Sequence, residues 1–427
     1  MKKKFVNLFL ILLFFSIILI FSGKYFLSSQ SPEKVAIAKK LLPNKLKFLI
    51  KEEVCLYQYF VPEFKNERMF PQTQFLKLNY QEVLLSGLES RESYYAVQKK
   101  GGKKAVPFYI ETFKDDIILT AANGTILLYK ISDILNNNYS KHIKIKNNLP
   151  NTITVDDTMV YKKKIFISFR KKNENCVSRQ IYFADLNFDF LNFEEFYSHG
   201  SIGKCKFGYF GGRMAIYNDN GNISMLISTK YPKDKNYLIT KVHNEKIETI
   251  MLLIDIKSKK IRPISSGHRN PQGLLVNEKN IIISTEHGPR GGDEINKIIE
   301  GKNYGWPISS YGETYAIKTE EFKYKKNHFN FDYEEPIYAF VPSIGISQII
   351  KVPELFSKKW QNNYLITSLR GLSVYRVTFD SNFSRIITME KIRVGKRIRD
   401  IAYNKKYNIF ILALENENGS IGIIRSN

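Results

Sequence analysis

Cysteine is nearly absent: three residues in 427, Cys55, Cys176 and Cys205. They show no CxxC spacing and no metal-ligand pattern, so neither a thiol-redox centre nor a cysteine-bound metal is written into the chain. An odd number cannot all pair within one molecule. Cys176 and Cys205 can form a disulfide if the body is exported, or can remain packing thiols. Acidic residues are also scarce, 41 Asp and Glu against 65 Lys and Arg, a formal net charge of +24. Such an excess raises the question of a nucleic-acid partner, but no recognition motif accompanies it, and none is expected. The lysines are spread along the chain, in clusters such as Lys162-Lys163-Lys164. Lysine at strand edges discourages edge-to-edge aggregation, and attraction to an anionic membrane surface is a further option. Long helical stretches are missing; Lys34–Leu42 suits a short helix, and Asp293–Glu300 has room for a turn or two.

Long apolar runs are missing too, with one exception. Met1-Lys2-Lys3-Lys4 precedes the run Phe5 to Phe21, broken by Asn7 and Ser16. A basic start followed by such a run is an export signal, of a length between a signal-peptide core and a membrane span. No clear small-x-small cleavage site follows, which favours an uncleaved anchor over residues 1–28. The body is then expected on the periplasmic or extracytoplasmic side, with the membrane as a partner through this segment. Residues 29–92 form an N-terminal region or spacer without a nameable motif.

From about Ser93 onward the chain is a series of short apolar runs separated by turns. Its centres are Ile117–Leu119, Ile165–Ile167, Met225–Ile227, Ile281–Ile283, Tyr364–Ile366 and Ile409–Ile411. Asn123-Gly124, Asn220-Gly221 and Asn418-Gly419 punctuate it as turn dipeptides. The centres lie roughly forty-five to eighty residues apart, room for one four-stranded sheet each. The fold class expected is all-β, a six-bladed β-propeller over 93–427 preceded by the N-terminal hydrophobic segment. A single β-sandwich would be unusually large for this length.

One stretch stands out, Gly267–Gly312: GHRNPQGLLVNEKNIIISTEHGPRGGDEINKIIEGKNYGWPISSYG. Two loops rich in Gly, Pro and polar residues flank the run Ile281–Ile283, which suits a buried strand. The loops expose carbonyl oxygens, and Asp293, Glu294, Asn296 and Tyr304 offer more. Oxygen-rich, glycine-bent loops are what a hard cation such as calcium requires. The segments GHRNPQGL, TEHGPRGGDEIN and GKNYGWP resemble, in order, the signature of the glucose/sorbosone dehydrogenase family. These are soluble quinoprotein sugar dehydrogenases that use pyrroloquinoline quinone (PQQ).

The resemblance implies the same six-bladed fold and a set of site residues. Arg269 and Asn270 match the family's Arg-Asn pair at the cofactor and substrate. Gly288 and Pro289 match the positions whose carbonyls bind the cofactor's calcium. Glu294 and Tyr304 match a second, structural calcium site. Lys396-Arg397-Ile398-Arg399-Asp400 resembles the R-x-R-D motif whose arginines hold PQQ carboxylates. On an extended strand Arg397 and Arg399 point to one face, as two cations sharing a ligand must. Arg370, in Ser368-Leu369-Arg370-Gly371, stands for the family's lysine, and Phe340 for a tryptophan before Pro342-Ser343-Ile344. A PQQ enzyme needs such cations for three carboxylates, a Lewis acid on the quinone, and a base for the sugar hydroxyl proton.

The base is where the chain departs from the family. The histidine position of the H-x-x-G-R-L-like loop holds Tyr209, and the supporting acid position falls near Thr229. His199 is ten residues away. The early Gln and GLLG-type segment has only an echo in Gln98–Gly102. A PQQ- and calcium-dependent sugar or alcohol dehydrogenase feeding an envelope electron acceptor is one reading. A propeller without catalysis that binds a ligand, glycan or protein is the other.

Overall fold

Apolar residues arranged in runs rather than in strict alternation indicate strands buried on both faces, and that is how this chain folds. The computed structural model describes residues 78–88, 106–139, 141–173, 176–199, 211–219, 221–228, 251–313, 324–416 and 418–426. All of them fall in one unit, Glu67–Tyr315 with Glu320–Asn427. The segment 1–28, the helix expected at Lys34–Leu42, Cys55, Cys205, Tyr209, Thr229 and Gln98–Gly102 lie outside the described residues.

Six sheets are present among the described residues, each of four antiparallel strands. Two-residue parallel strands, Phe190–Leu191 and Lys302–Asn303, extend the first and third. The six inner strands are Phe108–Phe113, Ile153–Tyr161, Met214–Asp219, Pro271–Val276, Ile346–Lys351 and Arg397–Asn404. Each packs on the inner strands before and after it, and the last returns to the first. The result is a closed six-bladed propeller. Among the described residues helix is confined to Ile131–Leu135 and two 3-10 turns. Asp293–Ile298, a candidate for a helical turn, is instead a strand. Pairing of Ile295 with Thr285 and Tyr338 on either side outweighs any local helical preference.

Every apolar centre belongs to the second strand of a blade. Such a strand has a blade interface on both faces. Ile117 and Leu119 face the cluster shared with the sixth blade, and Ile118 faces that shared with the second. Ile409 and Ile411 point into the first of these, and Phe410 into the interface with the fifth blade. Each of the six apolar clusters fills one interface between consecutive blades. The runs are therefore continuous because alternate residues serve different interfaces.

Closure uses a strand from the far end of the sequence. Leu78–Leu84, ahead of the boundary at residue 93, pairs with Ser420–Ser426 and becomes the outer strand of the sixth blade. Its Val83 is 1% exposed while the next residue, Leu84, is 65% exposed, the alternation a strand enforces. Val83→Asp places an unpaired charge in the interface and should cost roughly 3–5 kcal/mol. Leu84→Asp should stay within about 0.5 kcal/mol. Urea unfolding of both variants checks the register: equal midpoints would overturn it.

Candidate functional site

Antiparallel pairing brings the start of each inner strand beside the end of its second strand: Met214 opposite Ile227, Pro271 opposite Glu286, Ile346 opposite Ser368, Arg397 opposite Glu415. All these ends lie at one mouth of the propeller axis. The segments Gly211–Arg213, Arg269–Gln272, Ser368–Arg370 and Arg397–Arg399 meet there.

Just inside the mouth sits Arg213, 2% exposed. Its Nη1 donates to Asp157 Oδ1 at 2.7 Å and Asp400 Oδ1 at 3.1 Å. Its Nε donates to the carbonyl of Gln272 at 2.6 Å and its Nη2 to that of Arg399 at 3.0 Å. The guanidinium lies 4.9 Å from the Tyr109 ring. One side chain thus ties the third blade to the first, second, fourth and sixth. Burial pushes Asp157 up to about 7 despite the pull of Arg213, and raises Asp400 as well. Glu111 is raised well above the carboxylate range by burial, with Asp400 and Asp157 adding to it.

Above this hub the expected cofactor residues are joined by hydrogen bonds. Arg397 donates to Glu415 Oε2 through Nε and Nη2 at 3.1 and 3.0 Å. Arg399 Nε donates to Oε1 of the same carboxylate at 2.6 Å. The two arginines do share a face and a carboxylate. Burial acts to raise Glu415, but Arg399 and Arg397 outweigh it and hold it below its ordinary value. Arg399 Nη1 donates to Gln272 Oε1 at 3.0 Å, and Gln272 Nε2 to Asn270 Oδ1 at 2.9 Å. Asn270 Oδ1 also accepts the Gly211 N–H at 3.2 Å. That fixes the amide, so its Nδ2 faces His287 Nδ1 at 3.2 Å. Burial lowers His287 to about 4 against the pull of Asp293, and Arg399 and Arg269 add to the shift. It is a neutral ring at pH 7. Arg269 donates to the His287 carbonyl at 2.8 Å and lies 5.1 Å from the Trp306 ring. Arg370 reaches the same end, its backbone N–H donating to Ile344 O at 2.9 Å.

Residues 254–424 match the Glucose / Sorbosone dehydrogenase family. Among curated relatives, aldose sugar dehydrogenase YliI of Escherichia coli is 32% identical over 155 residues, 35% of this chain and 40% of its own. Quinoprotein glucose dehydrogenase B of Acinetobacter calcoaceticus is 25% identical over 193 residues, 34% of this chain and 40% of its own. The matched region thus spans well under half the length of these relatives. The solved soluble aldose sugar dehydrogenase of Escherichia coli, in the apo form, has the same fold. It superposes at a TM-score of 0.61 and 18% identity, over 82% of this chain and 100% of that one.

The glucose/sorbosone dehydrogenase signature has structural reasons that can be read residue by residue. Gly292 holds φ +67°, and a side chain there would strike the backbone of Gly312. A side chain at Gly288 would strike the carbonyl oxygens of Gly291 and Gly292. His268 is buried between Ser265 Oγ at 2.8 Å and Glu286 Oε1 at 2.6 Å, and Tyr304 stacks on its ring at 4.6 Å.

The calcium residues fit only in part. The Tyr304 hydroxyl donates to Lys297 O at 2.5 Å and accepts the Ile299 N–H at 2.9 Å. Asp293 accepts the N–H groups of Gly288 and Ile346, each at 3.0 Å. The Tyr304 hydroxyl, expected to offer an oxygen to a cation, is engaged inside the protein, whereas each Asp293 oxygen accepts one N–H and keeps a second lone pair. Glu294 behaves differently. Burial and the neighbouring Glu286 charge push it up to about 8, the condition that a bound cation relieves. Glu286, Gly288 and Glu294 line a cavity of about 10 Å³, room for a single small occupant. Among the described residues no cluster of three or more His, Cys, Asp or Glu forms a closed metal cage. At the mouth, Arg397 and Arg399 share one carboxylate, Glu415, and with Arg269 and Arg370 at the same end they suit a small polyanion.

Sequence reading missed the positioning layer: Asp157, Gln272, His287 and Glu415. Gln272 and His287 stood inside the quoted motif, whereas nothing near Glu415 marks it. Arg213, four residues after Tyr209, is committed to Asp157 and Asp400.

Removing Arg213 leaves buried carboxylates uncompensated, so Arg213→Met should cost roughly 3–5 kcal/mol in chemical unfolding. Asp157 binds protons more tightly folded than unfolded, so its contribution falls as pH rises from about 4 to about 7. Thermal midpoints across that window should decline with pH and decline less in Asp157→Asn. An unchanged slope in the variant would show that Asp157 is not the titrating group.

Proposed function

We propose that this chain is an exported, membrane-tethered sugar dehydrogenase that uses PQQ and calcium and passes electrons to an acceptor in the cell envelope. The observation that carries the proposal is the hydrogen-bonded run of Arg397, Arg399, Gln272, Asn270, His287 and Arg269 around one axial mouth. The relatives' names, aldose sugar dehydrogenase and quinoprotein glucose dehydrogenase, support it. So does the shared fold of a PQQ-bound aldose sugar dehydrogenase from Streptomyces coelicolor, with a TM-score of 0.55.

PQQ, when bound, supplies a quinone that accepts the hydride from a sugar carbon. Arg397 and Arg399 would hold its carboxylates, both fixed by Glu415. Calcium would sit on the carbonyls of Gly288 and Pro289. Arg269 is oriented by the His287 carbonyl and Trp306, and with Asn270 it positions the sugar hydroxyls. His287, neutral at pH 7 with Nδ1 accepting from Asn270, carries its proton on Nε2 and is not free to take another there. The hydroxyl proton therefore goes to Tyr209, at the family's histidine position. A phenol with an ordinary pKa near 10 is about one part in a thousand ionised at pH 7. Oxidation is accordingly slow at neutral pH and rises about tenfold per unit toward pH 10.

Titration of the purified full chain with PQQ and calcium, followed by quinone absorption, tests binding. Arg399→Ala should weaken it roughly 10- to 100-fold. Aldoses and simple alcohols should then bleach the quinone, faster with rising pH. Tyr209→His should raise the rate at pH 7 by about 100-fold or more. Absence of a cofactor spectrum would overturn the proposal. Binding without reduction by any sugar or alcohol at any pH would make the chain a ligand-binding propeller.

A further inference from the structure

The end of the propeller opposite the mouth carries the turns that leave the inner strands. Neighbouring turns touch. Asn280 Nδ2 donates to Asn218 O at 2.6 Å, Lys351 pairs with Glu278, Asn408 Nδ2 donates to Leu355 O at 3.1 Å, and Asn404 Nδ2 donates to Lys114 O at 2.8 Å. These contacts join turns of the third, fourth, fifth, sixth and first blades into one face. Lys358, Lys359 and Lys405 are exposed on it, and Lys162 and Lys163 on the corresponding turn of the second blade. The outer turn of the third blade adds exposed Lys257, Lys259 and Lys260, close enough to Lys164 for its charge to lower Lys259 further, beyond the effect of burial. Of the acids at this end, Asp115, Asp185 and Glu278 pair with Lys406, Lys164 and Lys351, and Glu300 pairs with Arg262; Asp219 and Glu354 are exposed on the third- and fifth-blade turns. Among the lysines stand exposed apolar side chains, Leu355 at 56% and Ile261 at 49%.

The chain also enters the propeller here. Leu78 pairs with Ser426, whose Oγ donates to Phe356 O at 2.8 Å in the fifth-blade turn. Seventy-seven residues precede Leu78, including the apolar run Phe5–Phe21 behind its lysines.

We propose that this lysine-rich end docks on an anionic phospholipid surface and turns the mouth toward solvent. Lysine clusters beside exposed aliphatic residues match the two attractions of such a surface: charge on the headgroups and apolar insertion at the acyl boundary. The charge component acts only within a Debye length, about 10 Å at 0.1 M salt, so it selects the face from which the lysines project.

The test uses the full chain in nanodiscs of phosphatidylcholine alone, or with about one third phosphatidylglycerol, read by hydrogen exchange. With the anionic lipid, exchange at the turns around 162–164, 257–260, 358–359 and 405–406 should slow about threefold or more. The effect should vanish at about 0.5 M salt, and residues 269–272 and 397–399 should not change. Lys162→Glu combined with Lys163→Glu, Lys358→Glu and Lys359→Glu should remove the protection without moving the thermal midpoint. Equal exchange in both discs, protection at the mouth, or stronger protection by duplex DNA than by anionic lipid would overturn the proposal. The readout needs no turnover, so its failure leaves the sugar-oxidation reading standing.

Discussion

Everything at the mouth depends on one buried cation. Arg213 is surrounded by partners from four other blades, Asp157, Asp400, the carbonyls of Gln272 and Arg399, and the face of Tyr109. A guanidinium removed from water is tolerable only when its donors are satisfied together, and here they are satisfied only when the ring of blades is closed. The same backbone that satisfies it carries the site. Gln272 and Arg399 give Arg213 their carbonyls and each other their side chains. A displacement at the hub is therefore a displacement of the arginines and of Asn270.

The site is a balance of charge in which each group has a counterpart. Glu415 holds two arginines that would otherwise repel across a short strand, and it keeps them in the fork geometry that carboxylate recognition requires. Burial acts to raise Glu286, but contacts with His268 and Asn296 hold it below its ordinary value, and burial together with the Glu286 charge forces Glu294 toward the protonated form. The excess is positive at the arginine mouth and acidic around the small cavity beneath Gly288. A polyanion and a cation bound side by side would complete both.

The two ends of the propeller differ in how they hold charge. At the mouth, arginines are half-buried and fixed by carboxylates and carbonyls. At the other end, lysines stand exposed on turns. Fixed cations recognise a particular small anion, whereas mobile ones respond to a charged surface.

The fold was legible because each second strand is buried on both faces, which turns a blade into an uninterrupted apolar triplet such as Ile117–Leu119 or Ile409–Ile411. Leu78–Leu84 escaped that logic, since an outer strand buries one face and leaves no triplet. Asp293–Ile298 was ambiguous for the related reason that its strand character comes from partners distant in sequence. Within the site, the sequence by itself determined the cations, their spacing and the glycine positions at 288 and 292, because those follow from local chemistry. Only the tertiary structure decided that Arg213 belongs to Asp157 and Asp400, that Glu415 serves Arg397 and Arg399, and that the Tyr304 hydroxyl is engaged by Lys297 and Ile299. Those assignments depend on which strand ends meet at the axis, a consequence of ring closure between residues more than three hundred positions apart.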